Sequence, residues 1–338
     1  MVHPVRKPPI WEKTKKEKRK NRLLKFFFLI ILLIVAANLL IRGPALIKEL
    51  NRPFARSPGD NKKIAELNLS YRTNLLLVNY EEDYWLNDIA IVSYEPGDRR
   101  LSVLLFDLTK NKSLQKIARS AFRKQGIDGL QRFVGNSLGV TIDRYLALKS
   151  DNPAFNPEDF LQVKKQLESP FIFFKVFSLK KQMDPVLRTN STSSDLVKTL
   201  WKARSANFEE KDIMHLPKLG EEGLAGEKTI SLVSNLFLDR KVLDEGASFT
   251  IRNSSGKKGL GNTLEQYLTN LGATVVTVES SEETKSETLL FVRNSKPVAE
   301  KRLLSIITFK KKGEEGEKFS GDMLVVLGAD STSELTLP

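Results

Sequence analysis

The sequence predicts an α/β fold: an N-terminal transmembrane helix, then a mixed α/β sheet domain and a small C-terminal α/β domain. Three features of the 338-residue chain support this prediction. A long apolar run lies near the start, short apolar runs alternate with helical patterns in the middle, and a strand-loop-helix-strand unit lies near the end. Interleaved strand and helix patterns are typical of a sheet covered by helices.

The long apolar run spans residues 23–41, and about 20 residues at a rise of 1.5 Å each cross the hydrocarbon core of a bilayer. The first 25 residues hold ten Lys or Arg and two Glu. By the positive-inside rule this basic tail, residues 1–22, stays in the cytoplasm. A cleaved signal peptide is the alternative interpretation, but no small-x-small cleavage site follows the run. We therefore expect a single-pass membrane protein whose later domains are extracytoplasmic.

Composition narrows the classes of function. The formal net charge of +13 belongs mostly to the basic tail, and no interleaving of arginine and aromatic residues accompanies it, so we expect no nucleic-acid partner. The chain has no cysteine, which excludes disulfides and a thiol nucleophile. Only two histidines are present, so a Ser-His-Asp site has little to build from. His215 is expected to be a structural ring.

The first domain is predicted over residues 71–217, after a stalk of Gly and Pro turns at residues 42–70. Its apolar and helical patterns predict strands at 74–79, 88–94, 101–106 and 144–148, and helices at 113–124 and 130–138 on either side of a loop at 126–129. Residues 171–177 are dense in aromatic side chains. They are predicted to form a buried strand or, alternatively, one wall of a lipid-accepting groove.

The second domain is predicted over residues 248–330, after a linker at 218–247 that contains an amphipathic helix at 229–243. Its patterns predict strands at 248–252, 274–278, 288–292 and 323–327, and helices at 262–271 and 297–306. The tail, residues 331–338, is expected to be disordered.

Three glycines in the loop of this domain raise the question of a nucleotide. Gly256, Gly259 and Gly261 lie between a strand and a helix, as in a dinucleotide-binding unit. Their spacing is G-x-x-G-x-G instead of G-x-G-x-x-G, and the chain has no P-loop. The sequence therefore predicts a tight turn and no nucleotide cofactor.

Three blocks of the second domain carry a family resemblance. In order, residues 251–261, 268–276 and 322–330 resemble the LytR C-terminal domain: a strand into an Asn-Gly-Thr-like loop, a helix closing on Leu-x-x-x-Gly, and a last strand ending in Leu-Gly-x-Asp. Such domains accompany the catalytic domain of the LytR-CpsA-Psr (LCP) family. These membrane-anchored bacterial enzymes transfer glycopolymers from polyprenyl-pyrophosphate carriers onto peptidoglycan. The resemblance implies a protein of the bacterial cell membrane that acts on the cell wall.

The first domain resembles a divergent LCP domain, more in the order and spacing of its apolar runs than in identity. Asp88 and Asp107 fall on the two family acids, so the resemblance implies that they are metal ligands for Mg²⁺. The partners implied are a polyprenyl-pyrophosphate glycan or peptidoglycan. A purely structural role at strand ends is the alternative for both acids.

The family arginines that should precede these acids are missing, because Leu86, Asn87 and Phe106 stand at those positions. Arginine neutralises charge on phosphoryl oxygens, and a lysine does not replace its bidentate fork. We consider Arg99, Arg100 and Arg144 as substitute substrate-binding residues. The resulting hypothesis is a cell-envelope protein related to the glycopolymer-peptidoglycan phosphotransferases, which binds envelope glycan or carrier lipid with reduced or lost catalysis. Alternatives are an active Mg²⁺-dependent transferase and a single-pass envelope scaffold.

Overall fold

The computed structural model describes residues 54–57, 67–81, 85–150, 155–169, 183, 185–216, 227–313 and 317–337. All of these residues belong to one compact unit, which begins at residue 53. The apolar run at 23–41 and the aromatic segment at 171–177 lie outside the described residues. Within the described part, none of the helices has the length and apolar character needed to span a membrane.

The first sheet has six strands in the order β5-β4-β1-β2-β3-β6. These strands are β1 (Thr73–Tyr80), β2 (Leu86–Glu95), β3 (Arg100–Leu105), β4 (Arg144–Lys149), β5 (Leu187–Thr189) and β6 (Ile213–His215). Antiparallel pairing joins β1 to β2 and β2 to β3, while β4 runs parallel to β1 and β6 parallel to β3. The predicted mixed sheet is confirmed.

Helices cover both faces of this sheet. They are α1 (Lys112–Leu138), α2 (Pro157–Glu168), α3 (Ser193–Arg204) and α4 (Glu227–Phe237). Alternate strand residues such as Leu76 and Ile89 pack against α1 and α4 in the main core. The intervening residues, such as Leu77 and Val92, face α2 with Phe160. The period-two alternation of side chains along the strands therefore builds a three-layer domain.

The break predicted at 126–129 is present but shorter than predicted, because the two helical segments of α1 meet in a kink at Gly126. The interruption is confined to Gly126, whose backbone has φ 61° and ψ −146°. Ile127 inside the predicted loop and Leu130 directly after it are fully buried in the main core. Packing of these side chains allows the second helical segment to begin directly after the kink.

The second sheet has five strands in the order β10-β9-β11-β7-β8. They are β7 (Ser248–Asn253), β8 (Thr274–Ser280), β9 (Leu289–Val292), β10 (Lys310–Gly313) and β11 (Met323–Leu327). The helices of this domain are α5 (Arg240–Glu245), α6 (Leu260–Leu271), α7 (Pro297–Leu303) and α8 (Thr332–Leu335). Its core contains apolar residues of β7, β11, α6 and α7, so the predicted small α/β domain is confirmed.

The amphipathic helix predicted at 229–243 is divided into α4 and α5. The break lies at Asp239, which is fully buried and accepts a hydrogen bond from the backbone N–H of Lys241 at 3.1 Å. An aspartate in this position caps the N-terminus of the following helix, so the chain restarts there instead of continuing.

The disordered tail predicted at 331–338 is wrong over the part that the structure describes. Residues 332–335 form α8, and Leu335 is 2% exposed in the core of the second domain. The side-chain amide of Asn136 in α1 donates to the carbonyl oxygens of Glu334 at 3.1 Å and Thr336 at 2.9 Å. One buried leucine and these bonds supply the order that the polar sequence does not predict.

The second domain also contacts α1 and the chain that follows it. Asn270 in α6 donates its side-chain amide to the carbonyl oxygen of Leu138 at 2.8 Å. Gly139 ends α1 with φ 63°. Its α-carbon is so close to α6 that a β-carbon there would lie 2.6 Å from the side chain of Gln266. Helix α1 of the first domain and helix α6 of the second therefore pack against each other.

Candidate functional site

The two predicted acids lie at the same end of the first sheet. Asp88 pairs with Asn79 at the end of β1, and Asp107 lies two residues after the end of β3. The backbone N–H of Leu108 donates to Oδ1 of Asp88 at 3.3 Å, which joins the two segments. The structure thus brings the two acids to one end of the sheet, while their role as metal ligands stays a prediction.

Asp88 is buried, with 1% of its surface exposed, and its carboxylate is surrounded by backbone donors. Oδ1 accepts from the N–H of Ile89 at 2.9 Å as well as from Leu108, and Oδ2 accepts from the N–H of Phe155 at 3.1 Å. Burial raises the pKa of Asp88, and the three N–H groups only partly offset this effect. The negative charge of Asp107 raises it further.

Asp107 has an unusual backbone conformation, with φ 47°. Its carbonyl oxygen accepts from the N–H of Lys110 at 2.9 Å, which closes the turn between β3 and α1. Its Oδ2 lies 2.5 Å from Nδ1 of His215, and its Oδ1 lies 3.6 Å from Nζ of Lys110. Left-handed conformations are more accessible to aspartate than to most residues, so the turn directs a carboxylate between two basic groups.

His215 is a functional candidate that sequence reasoning missed. Its side chain is 45% exposed, so it is not the buried structural ring that was expected. It ends β6, which pairs with β3 so that His215 lies opposite Leu105. The contact with Asp107 depends on the parallel pairing of two segments far apart in the chain, and no local sequence signal reports that pairing.

The two acids do not fit a shared Mg²⁺ site as they stand. Mg²⁺ requires near-octahedral oxygen ligands at about 2.1 Å and usually keeps several waters. Asp88 is buried under three N–H donors, and Asp107 faces a lysine and a histidine. Over the part of the chain that the structure describes, no cluster of three or more His, Asp or Glu could hold a metal. The magnesium site stays a prediction.

The three candidate arginines lie at the other end of the sheet. Arg99 is in the turn between β2 and β3 with φ 50°. Arg100 lies opposite Glu95, the last residue of β2, and its Nε donates to Asp212 at 2.8 Å. Arg144 begins β4, is 6% exposed, and lies 3.7 Å from Asp195. The structure therefore does not bring these arginines to the acids.

A different arginine lies near the end of the first sheet that carries Asp88 and Asp107, called the acidic end below. Nε of Arg119 in α1 donates to the carbonyl oxygen of Leu86 at 2.9 Å, at the start of the strand that contains Asp88. Its guanidinium carbon lies 3.7 Å from the ring centroid of Trp85, which is 47% exposed. Burial lowers the pKa of Arg119, and the nearby Glu81 partly offsets this. Helix position alone did not single out this residue in the sequence.

An apolar cavity of about 420 Å³ lies between the first sheet and helices α2 and α3. Leu77, Val92 and Leu148 line it from the strands, and Phe160 and Leu200 line it from the helices. At the acidic end it is bordered by Asn79, Ser150 and Phe155. A cavity with an apolar body and polar groups at one end is typical of sites for apolar small molecules.

The loop with three glycines forms the predicted tight turn in the second domain. Gly256 has φ 73° and Gly259 has φ 89°, conformations that only glycine adopts freely. A β-carbon on Gly261 would lie 2.8 Å from Val278, so this glycine permits close packing of α6 on β8.

The second sheet domain is similar to a family of cell-envelope-related domains. Residues 247–330 match the family described as LytR cell envelope-related transcriptional attenuator, which confirms the LytR C-terminal domain predicted at 248–330. Among curated protein sequences, none is similar enough to this chain to count as a match.

Solved structures give weaker likenesses. The transcriptional regulator yvhJ from Bacillus subtilis is 14% identical, with 44% of this chain and 84% of that chain covered and a TM-score of 0.33. B. subtilis TagV is 13% identical, with 46% of this chain and 90% of that chain covered and a TM-score of 0.32. TagT bound to LI-WTA is 13% identical, with 69% of this chain and 85% of that chain covered and a TM-score of 0.22. Likenesses at this level carry no functional argument.

Proposed function

We propose that this chain is a membrane-anchored, extracytoplasmic protein of the bacterial cell envelope, related to the LCP transferases. In this proposal it holds the prenyl chain of a polyprenyl-pyrophosphate glycan in the apolar cavity, while transfer onto peptidoglycan is reduced or lost. The apolar cavity is the observation on which the proposal rests. The LytR C-terminal domain and the apolar run at residues 23–41 support the envelope location.

Two properties of the cavity favour a hydrocarbon chain as its occupant. Its walls are mostly aliphatic and aromatic side chains, and burial of apolar surface contributes about 25 cal/mol per Å². Of its charged neighbours, Lys164 has its ammonium turned to the end of α3, where it donates to the carbonyl oxygens of Ala203 at 3.2 Å and Arg204 at 2.7 Å. A charged headgroup would therefore remain outside the apolar body.

The arrangement of charge supports reduced catalysis. Phosphoryl transfer needs cations beside the developing negative charge on the phosphoryl oxygens. Arg100 and Arg144 instead lie near Asp212 and Asp195 at the far end of the sheet. At the acidic end, Lys110 and His215 both contact the same carboxylate, that of Asp107. The ammonium of Lys110 and the ring of His215 therefore already have a carboxylate partner before any pyrophosphate arrives.

Binding of geranylgeranyl pyrophosphate to the full-length protein in lipid nanodiscs tests the proposal. Replacement of Leu77 by Trp places an indole in the cavity, and we expect binding of the radiolabelled lipid to weaken at least about tenfold, or about 1.4 kcal/mol. The control is Leu243→Trp, since this leucine is 49% exposed on α5. Empty nanodiscs give the background of lipid partition.

Two results would contradict the proposal: wild-type binding no greater than that of empty nanodiscs, or equal affinity for the wild type and Leu77→Trp. The catalytic part is tested separately with a lipid-linked glycan and peptidoglycan. Transfer by the wild type at the rate of an active LCP enzyme measured in parallel would show that catalysis is retained and overturn that part alone.

A further inference from the structure

The carboxylate of Asp88 joins three separate parts of the first domain. Its Oδ1 binds the N–H groups of Ile89 in β2 and Leu108 in the turn after β3, at 2.9 and 3.3 Å. Its Oδ2 binds the N–H of Phe155 at 3.1 Å, two residues before α2 begins. A charged acceptor for three backbone donors in a buried position is a strong local constraint.

Phe155 connects this constraint to the cavity. Its side chain lines the cavity, and its ring lies 6.1 Å from the ring of Phe160 in α2, which lines the same cavity. Val163 and Leu167 of α2 contribute further to that wall. The position of the Phe155 backbone therefore sets where α2 starts and how its apolar face covers the sheet.

Leu108 connects the same constraint to the acidic end. It is fully buried and directly follows Asp107, whose carboxylate is 18% exposed. The N–H bond to Asp88 thus fixes the turn that presents Asp107, while the bond from Phe155 fixes the cavity wall. A single side chain therefore binds both segments.

We propose that Asp88 is a positioning residue: its buried carboxylate fixes the start of α2 and the Asp107 turn relative to each other. A prenyl chain in the cavity and a headgroup beside Lys110 and His215 at the Asp107 turn would then be held at a set distance. This inference rests on the proposed lipid-binding function and gives Asp88 a role different from the predicted magnesium ligand.

The variant Asp88→Asn tests the inference, because an isosteric amide cannot accept from all three N–H groups. The matched control is Asp212→Asn, since Asp212 is 3% exposed and lies at the other end of the same sheet. We expect geranylgeranyl pyrophosphate to bind Asp88→Asn in nanodiscs at least about tenfold more weakly than wild type, equally in Mg²⁺ and in EDTA. Asp212→Asn should keep wild-type affinity even if its stability falls comparably.

Hydrogen exchange without any lipid provides a readout that does not depend on the proposed function. In Asp88→Asn we expect amide exchange to accelerate in peptides covering 155–169 and 107–111, and to stay unchanged in β4. In Asp212→Asn these peptides should exchange as in the wild type.

The two hypotheses fail in different ways. Wild-type protein that does not bind the lipid overturns the proposed function, while the exchange data still decide the role of Asp88. Unchanged exchange at 155–169 in Asp88→Asn overturns the positioning role. A loss of binding that occurs in Mg²⁺ and is absent in EDTA also overturns it, since Asp88 would then act through a metal.

Discussion

The phenolic oxygen of Tyr267 donates a hydrogen bond to the side-chain oxygen of Asn136 at 2.9 Å. Tyr267 belongs to α6 of the second domain and Asn136 to α1 of the first. Burial raises the pKa of Tyr267, so the phenol stays protonated and remains a donor. Both residues are more than nine-tenths buried. Removal of this hydrogen bond therefore measures how much a contact between the two domains contributes to stability.

Replacement of Tyr267 by Phe should lower the free energy of unfolding by about 1–3 kcal/mol. The variant keeps the ring but leaves the buried oxygen of Asn136 without this donor. Urea denaturation of the ectodomain measures the change. Tyr71→Phe is the control. The ammonium groups of Lys241 and Lys301 contact the ring of Tyr71, which phenylalanine keeps, so this variant should change stability much less. Equal effects of both variants would contradict the prediction.

Replacement of Arg302 by Met should destabilise the protein by about 3–5 kcal/mol. Arg302 in α7 is 5% exposed, donates to Thr141 at 2.8 Å, and lies 3.4 Å from both Asp143 and Asp239. The variant leaves the charge of Asp239 buried without this cation.

A second substitution separates this charge effect from lost packing. Adding Asp239→Asn to Arg302→Met removes the uncompensated charge, so the double variant should recover part of the lost stability in the same denaturation experiment. If the two changes are simply additive, Arg302 does not act by compensating Asp239.

Two glycines with nearly the same backbone conformation allow the cost of backbone strain to be distinguished from the cost of a steric clash. Gly139 and Gly246 both end helices, with φ 63° and 60°. A β-carbon on Gly246 meets nothing within 4 Å, whereas one on Gly139 lies 2.6 Å from Gln266. Gly246→Ala should therefore cost about 1–2 kcal/mol, the penalty for a left-handed alanine, and Gly139→Ala clearly more. Similar melting temperatures for the two variants would contradict this.

The stability contributed by Asp322 should depend on pH. Burial raises its pKa, but hydrogen bonds from Asn294 and Ser248 and the charge of Lys296 outweigh this and leave the pKa lowered. A lowered folded-state pKa means that the contribution is present above the unfolded value of about 3.9 and is lost as pH falls through the folded value.

Urea denaturation of wild type and Asp322→Asn over this pH range measures the effect. The difference in stability should be constant near neutral pH and shrink below about pH 4. Asp244→Asn, which changes an exposed aspartate, is the control and should not change stability. A difference between wild type and Asp322→Asn that grows on acidification would contradict the assignment.

Long apolar runs made several strands predictable. The predicted strand at 323–327 coincides with β11, whose five residues are all buried. By contrast β5, β6 and β10 have three or four residues each, with little apolar pattern, and were not predicted. Such short edge strands form because neighbouring strands offer hydrogen bonds, which local sequence does not encode.

The candidate site was predictable only where it follows from a hairpin. In the antiparallel pair of β2 and β3, Asp88 and Asp107 must lie at one end, and Arg99 and Arg100, at the turn, must lie at the other. Binding of one substrate by Arg99 or Arg100 together with these acids is therefore inconsistent with the predicted strands. The neighbours His215 and Phe155 come from distant segments, which is why the sequence did not reveal them.

The contacts of Asn136 with the carbonyl oxygens of Glu334 and Thr336 span 198 and 200 positions of the chain. A ribosome releases the N-terminal part first, so α1 emerges long before α8 exists. During synthesis this end of α1 therefore stays without these partners until residues 334–336 have been made. Contacts of such long sequence separation slow folding, because the loop-closure entropy is lost before the contact forms.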